Sequence, residues 1–418
     1  MKFALLQPNW SFPGSTYFGC ADTHLPLELL YAQSQLRQAG HDCLLVDAHV
    51  EALSTADAIV RLRAFAPDFV VLTTAPTYLF WRCPQPELRL PAQWMRCLHS
   101  AFPHAVTVAI GPHGSATPAA AKAKLGCDVV IQGEAEQVLA EVAEKGSCEP
   151  GYHHADLNRL PALDYDGYPL ALRQHRHHVF SGAGRGAEVE ASRGCPWACI
   201  FCNKTLFRNH YRQRPLEAVL GEVATLSRRG MNYIYFIDEI FGCGSKTPAL
   251  LDGLRDLPVT FGMQTRIDLW NEDSLAALGA AGCVSLECGI ESVTPEGRAR
   301  FHKGCRLDTD RIQFLLRVAR RHIPWVQANL IAGEQDDLEA MHAWRAAVIA
   351  DGVWVSQPVP VFAFPGTPLY SQLFGPLDDI AWERAHRHYL DTNRARGYFS
   401  DIQDQAPQPL EQLEALVS

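Results

Sequence analysis

Short apolar runs alternate with helix-like patterns over residues 1–148. Phe3 to Leu6, Cys43 to Val46, Phe69 to Thr73, Val106 to Ile110 and Val129 to Ile131 are apolar, rich in β-branched residues and bounded by Pro or Gly. Strands buried on both faces have that composition. Pro26 to Ala39 has helical spacing, with proline at its start and Gly40 at its stop. Five strands with helices between them predict a doubly wound, Rossmann-like open sheet. Over 149–186 the pattern dissolves into His, Pro, Asp and Gly, which predicts a linker. It then resumes, with strands expected at Val189 to Ser192, Tyr233 to Asp238, Val259 to Thr265, Val284 to Ile290, Trp325 to Ile331 and Trp354 to Phe362. Six strands are too few for a closed eightfold barrel. Residues 187–370 are therefore expected to form a partial, open (β/α)6 barrel with its chemistry at the strands' carboxyl ends. Residues 371–418 are expected to be a small helical appendage. The predicted fold class is α/β throughout.

Composition narrows the function classes. With 47% hydrophobic and 20% charged residues, the 418-residue chain is neither disordered, collagen-like nor a disulfide scaffold. Lys and Arg number 37 against 46 Asp and Glu, a net charge of −9, so the whole chain lacks the electrostatic footprint of a nucleic-acid binder. No stretch has the length of a membrane-spanning helix, and the apolar run near Met1, broken by Gln7 and Pro8, is too short for a signal-peptide core. Thirteen cysteines, an odd number without a secretory signal, point to a reducing cytoplasm and to thiols or metal ligands.

Spacing singles out three of them. Ser192-Arg193-Gly194-Cys195-Pro196-Trp197-Ala198-Cys199-Ile200-Phe201-Cys202 follows the first expected barrel strand. A C-x-x-x-C-x-x-C loop holds three corners of a 4Fe-4S cluster through thiolates and leaves one iron open to a small molecule. The zinc alternative needs a fourth ligand, for which His210 is the nearest candidate, and unligated thiols are the remaining possibility.

This loop, with an aromatic residue before its last cysteine and a partial βα barrel behind it, resembles the signature of the radical S-adenosylmethionine (SAM) enzymes. The resemblance implies that Cys195, Cys199 and Cys202 hold the cluster and that its open iron chelates SAM. It further implies that Phe201 lies near the adenine, that Asp238 and Glu239 meet the methionyl amine, and that Gln264 and Arg266 stand where a guanidinium holds the carboxylate. Glu291 resembles the ribose-binding position, with Ser292 beside it, and Gly333-Glu334 are what remains of a conserved turn in that family. On local grounds alone, each polar residue at a strand end also reads as a helix cap or a satisfied buried group.

The amino-terminal half resembles the cobalamin-binding domain that precedes the barrel in one subfamily. The carrying residues are Pro26 to Tyr31, Gly40-His41-Asp42, Val46-Asp47-Ala48, Thr73 to Thr77, Ile110 to His113, and Ile131 to Glu136. Cobalamin contacts are then expected from Thr73, Thr74, Thr77, Tyr78, Gly111, His113, Gly133 and Glu134. Asp47-Ala48-His49 mimics the cobalt-ligating D-x-H motif but follows the second strand instead of the first, so His49 is read as a solvated loop histidine. Tyr78 to Pro91 covers corrin or substrate, or is a surface excursion held by prolines. Arg208, Arg212 and Arg214 either neutralise the cluster and the SAM carboxylate or form a solvated basic turn.

The resemblance implies a cytoplasmic cobalamin-dependent radical SAM methyltransferase. It would methylate an unactivated carbon of a small metabolite through a 5′-deoxyadenosyl radical and methylcobalamin. A flavodoxin or ferredoxin would be its reducing partner, without nucleic acid or membrane. The alternatives are an oxidative cyclase or ring-rearranging enzyme on the same domains, a methylthiotransferase using Cys20, Cys43 and Cys83, and a non-catalytic cobalamin sensor.

Overall fold

Parallel pairing builds both halves of the chain. The computed structural model describes residues 1–10, 23–77, 86–172, 185–206, 208–333 and 335–395. The first sheet comprises β1 (Lys2–Gln7), β2 (Asp42–Asp47), β3 (Phe69–Thr73), β4 (Val106–Ile110), β5 (Val129–Gly133) and β6 (Tyr152–His153). Its order is β2-β1-β3-β4-β5-β6, and every pair is parallel. Successive strand residues face opposite sides. Phe3, Leu5, Val71 and Val108 pack under the helices Leu27–Gln38 and Leu139–Lys145. Ala4, Leu6, Val70 and Leu72 pack under Thr55–Phe65 and Arg89–Ala101. Helices on both faces make the sheet doubly wound, and the direction of winding reverses between β1 and β3.

The second half runs from β7 (Gly186–Val189) through an antiparallel clasp of β8 (Ser192–Arg193) and β9 (Arg212–Gln213). It continues with β10 (Tyr233–Phe236), β11 (Thr260–Thr265), β12 (Cys283–Glu291), β13 (Trp325–Ala332), β14 (Trp354–Val355) and β15 (Val359–Pro360). The main path is β7-β10-β11-β12-β13-β14 in sequential parallel order, and β15 also pairs with β13. Ile234, Phe236, Met263, Leu286, Cys288, Val326 and Leu330 join the apolar core. The alternate positions are polar, with Glu188, Tyr235, Gln264, Glu287 and Gln327 on the opposite face.

Three expectations change. The first barrel strand ends at Val189, where the sequence placed its start, because the chain is diverted there into the clasp: the Ala191 amide donates to Asp238 at 3.0 Å. The stretch expected as a linker supplies β6 and buries Ala155, Leu157, Leu163, Tyr165 and Leu170, apolar anchors scattered among its polar residues. The last expected strand is broken into β14 and β15, with Pro358, which has no amide proton to donate, between them. Helices Pro368–Phe374 and Ala381–Arg394 follow. Trp382 reaches back to the first half, where its indole donates to Thr117 at 3.1 Å and its ring lies 4.5 Å from that of His113. Among the described residues, no helix is long and apolar enough to cross a membrane.

Candidate active site

Local turn chemistry shapes the three-cysteine loop. Gly194 has φ +82°, and a Cβ there would lie 2.1 Å from the His210 carbonyl oxygen, so the position demands glycine. The Cys195 amide donates to the Arg208 carbonyl at 3.0 Å and the Ile200 amide to the Phe301 carbonyl at 3.1 Å. The Leu369 amide, from the helix after the barrel, donates to the Ile200 carbonyl at 3.0 Å. The Lys204 ammonium donates to the Trp197 carbonyl at 3.0 Å and reaches the Cys195 thiol. The Trp197 ring lies 4.3 Å from the Arg266 guanidinium, a cation–π contact.

The three thiols lie near enough to act on one another electrostatically. Burial pushes the Cys202 thiol up to about 12 and raises Cys199, which Lys303, Lys204 and Arg266 oppose. Thiols that resist ionisation in place but face three cations are suited to ligands deprotonated on loading. Among the described residues, no three His, Cys, Asp or Glu side chains converge on a single ion's position. A cubane instead spreads three thiolates over three irons. On the mutual proximity of the thiols and the surrounding cations, the loop fits a cluster. His210 is exposed and turns its carbonyl towards Gly194.

Most of the expected SAM contacts are engaged within the protein. Asp238 takes the Ala191 amide and the Ser192 hydroxyl; burial, with Glu190 and Glu239 nearby, raises its carboxyl to about 7. Glu239 takes the Gly194 amide at 2.8 Å and pairs with Arg208, which outweighs its burial and keeps it ionised. Both therefore hold the cysteine loop itself. Gln264 donates to Glu287 at 3.2 Å. Arg266 is bound to both carboxylate oxygens of Asp268 and to the Lys303 carbonyl, so its guanidinium braces Trp197. Ser292 donates to Asp336 at 3.0 Å. Phe201 packs edge-on against Phe301, 5.3 Å between centroids. Glu291, in a left-handed conformation with φ +66°, accepts from the Lys303 ammonium at 3.0 Å. Lys204 and Lys303 were not singled out from the sequence; each lies one or two residues from a loop glycine or cysteine without a motif of its own.

On the other side, the loops after β3, β4 and β5 carry the expected cobalamin positions. Thr73 donates to Gln7 at 2.7 Å and is buried within the sheet. Thr74 and His113 hydrogen-bond at 3.2 Å, and both are fully buried. Gly111 has φ +137°, and the Gly133 amide donates to the Ser115 hydroxyl at 2.9 Å. Thr77 donates to Glu28 at 2.8 Å. Tyr78, Cys20, Cys83 and Glu334 lie outside the described residues. His49 is buried, which corrects its reading as a solvated histidine; its amide is held by Asp47 at 3.2 Å.

Glu134 is engaged by three arginines. It pairs with Arg208 at 3.0 Å, Arg212 at 2.6 Å and Arg193 at 3.3 Å, and takes the Ala155 amide at 2.7 Å. Burial resists its ionisation, but these guanidiniums hold it well below the usual carboxylate range. Arg193 also pairs with Glu136 at 2.6 Å and Glu190 at 2.7 Å. Arg214 pairs with Glu222 at 2.7 Å. The supposed basic turn is therefore largely buried, and two of its arginines join a network that ties the loop after β5 to both flanks of the cysteine loop.

The two halves thus define an α/β cofactor protein with an open-sheet ligand edge facing a cysteine loop. Residues 189–344 match the model of the Radical SAM superfamily, and residues 20–143 match that of the B12 binding domain. The chain thus carries a B12-binding domain followed by a radical SAM domain. It is 26% identical over 298 residues to an uncharacterised methyltransferase of Pyrococcus horikoshii, covering 65% of this chain and 61% of that protein. It is 26% identical over 372 residues to hopanoid C-3 methylase of Methylococcus capsulatus, covering 82% of this chain and 67% of that one. The fold is similar to that of the radical SAM methyltransferase TsrM from Kitasatospora setae, solved with cobalamin and a [4Fe-4S] cluster, with TM-score 0.68, 18% identity and coverage of 88% and 76%.

Proposed function

We propose that this chain is a cobalamin-dependent radical SAM methyltransferase acting on an unactivated carbon of a small metabolite. The observation that carries this reading is the buried ion network between Glu134 and Arg193, Arg208 and Arg212, which fixes the corrin-type sheet edge against the cysteine loop. Two cofactor sites held in one seam give the high effective concentration that a two-cofactor transfer needs. When bound, the cluster supplies the electron that splits SAM, and the cobalamin carries a methyl group.

The chain's own residues supply placement. Cys195, Cys199 and Cys202 hold the cluster, and Lys204, Lys303 and Arg266 balance its charge. In this reading Lys303 meets the SAM carboxylate, Glu291 the ribose and Phe201 the adenine. The loops that carry Thr74, Thr77, Gly111, His113 and Gly133 form the corrin edge, with Thr74 and His113 buried behind it. The two relatives at 26% identity are named a methyltransferase and a methylase, which supports methylation over cyclisation or rearrangement, while a relative named a cyclase is 21% identical.

The test is anaerobic reconstitution with methyl-labelled SAM. Wild type should bind about four irons and form 5′-deoxyadenosine. Alanine at any of the three cysteines should abolish both, and the product should carry the labelled methyl. Cleavage of SAM by the alanine variants would refute the site. An unlabelled, dehydrogenated or rearranged product would refute methylation.

A further inference from the structure

In an open α/β sheet, the ligand crevice lies where winding reverses, at the carboxyl ends of the flanking strands. Here that point is between β1 and β3. Two side chains meet across it. Glu28 stands in the first turn of the helix after β1, Thr77 in the loop after β3, and the Thr77 hydroxyl donates to the Glu28 carboxyl at 2.8 Å. Glu28 is partly exposed, so its carboxyl remains accessible at the crevice.

The charges facing it come from the barrel. Glu190 and Arg208 act on it directly, and Arg193 and Arg214 lie over Tyr31 on its own helix, at 5.3 and 5.4 Å from the ring. The described network holds four carboxylates, Glu134, Glu136, Glu190 and Glu239, against the guanidiniums of Arg193, Arg208 and Arg212. An ionised Glu28 would add a fifth negative charge beside three positive ones in a buried seam, which favours the protonated form.

We propose that Glu28, held by Thr77 at the reversal point of the first sheet, is a positioning residue for cobalamin that offers its carboxyl to the edge of the corrin. A corrin is edged with carboxamides. A neutral acid can donate to an amide carbonyl there, whereas a carboxylate cannot. The inference rests on the cobalamin reading above. Burial pushes the Glu28 carboxyl up to about 8, against the opposing pull of Thr77 and Arg208, so the neutral form prevails at pH 7.

The experiment compares wild type, Glu28→Gln, Glu28→Ala and Thr77→Val, each loaded with hydroxocobalamin. Cobalamin affinity and the EPR spectrum of the reduced cob(II)alamin are followed as pH is raised through about 8. Wild type should lose affinity and change spectrum across that range. Glu28→Gln, a neutral mimic, should keep the low-pH spectrum throughout. Glu28→Ala should bind about five- to tenfold more weakly at low pH, the loss of one hydrogen bond. Thr77→Val should move the transition upward, since Thr77 stabilises the carboxylate. A wild type and a Gln variant with the same pH response overturn the inference while leaving the cobalamin reading intact. A wild type that binds no cobalamin overturns both.

Discussion

The Arg208 guanidinium lies 3.0 Å from the Glu134 carboxylate, and the carbonyl of the same arginine accepts the Cys195 amide at 3.0 Å. One residue therefore links the loop after β5 to the first cysteine. Removing one partner of a buried ion pair strands the other, at a cost of about 3–5 kcal/mol. Glu134→Ala should lower the unfolding midpoint accordingly and reduce iron retained after reconstitution. Full iron content with an unchanged midpoint would show that the seam does not support the loop.

Gly194→Ala should leave both sheets folded but prevent loop closure, because the added methyl meets the His210 carbonyl in a backbone conformation unfavourable to alanine. Iron analysis and circular dichroism separate the two effects: native far-UV signal with little bound iron is expected. Wild-type iron in this variant would contradict the loop geometry.

Arg266→Met should free the Trp197 ring while keeping an apolar stem of similar length. The lost cation–π contact amounts to about 1–2 kcal/mol in a partly desolvated site. The cluster should then be lost faster to a chelator, and the Trp197 fluorescence environment should shift. Equal chelation rates would argue against a bracing role.

His386, buried on the last described helix, has its imidazole pushed down to about 4 by desolvation, helped by Arg387 and Arg89. The folded state binds the proton less tightly than the unfolded chain. The stability it contributes is therefore present above about pH 6.5 and lost as pH falls towards 4. The shift is worth up to about 3 kcal/mol. His386→Leu should flatten the pH dependence of the unfolding midpoint over this range, and an unchanged slope would assign the acid sensitivity elsewhere.

Local patterns carried much of the architecture. The five apolar runs of the first half coincide with β1 to β5, and the cysteine spacing marked the loop, because both depend on neighbours within a few residues. What stayed hidden depends on distant pairing. Glu134 stands on the expected ligand edge, but nothing local showed that Arg208, 74 positions later, would lie beside it. Asp238 and Glu239 were located at the right strand end, but nothing local showed that the backbone of residues 191 and 194 would occupy them. Lys303 and Glu28 acquire meaning only from tertiary neighbours, Glu291 and Thr77. The broken final strand was misjudged because its apolar run outweighed Pro358.

The hydrogen bond from the Leu369 amide to the Ile200 carbonyl sets an order of events during synthesis. The cysteine loop leaves the ribosome well before residue 369 does, so its backbone lacks one of its restraints until the whole barrel has been translated. The loop therefore reaches its final shape only when the barrel is complete, and iron delivered to the nascent chain would meet an unfinished site.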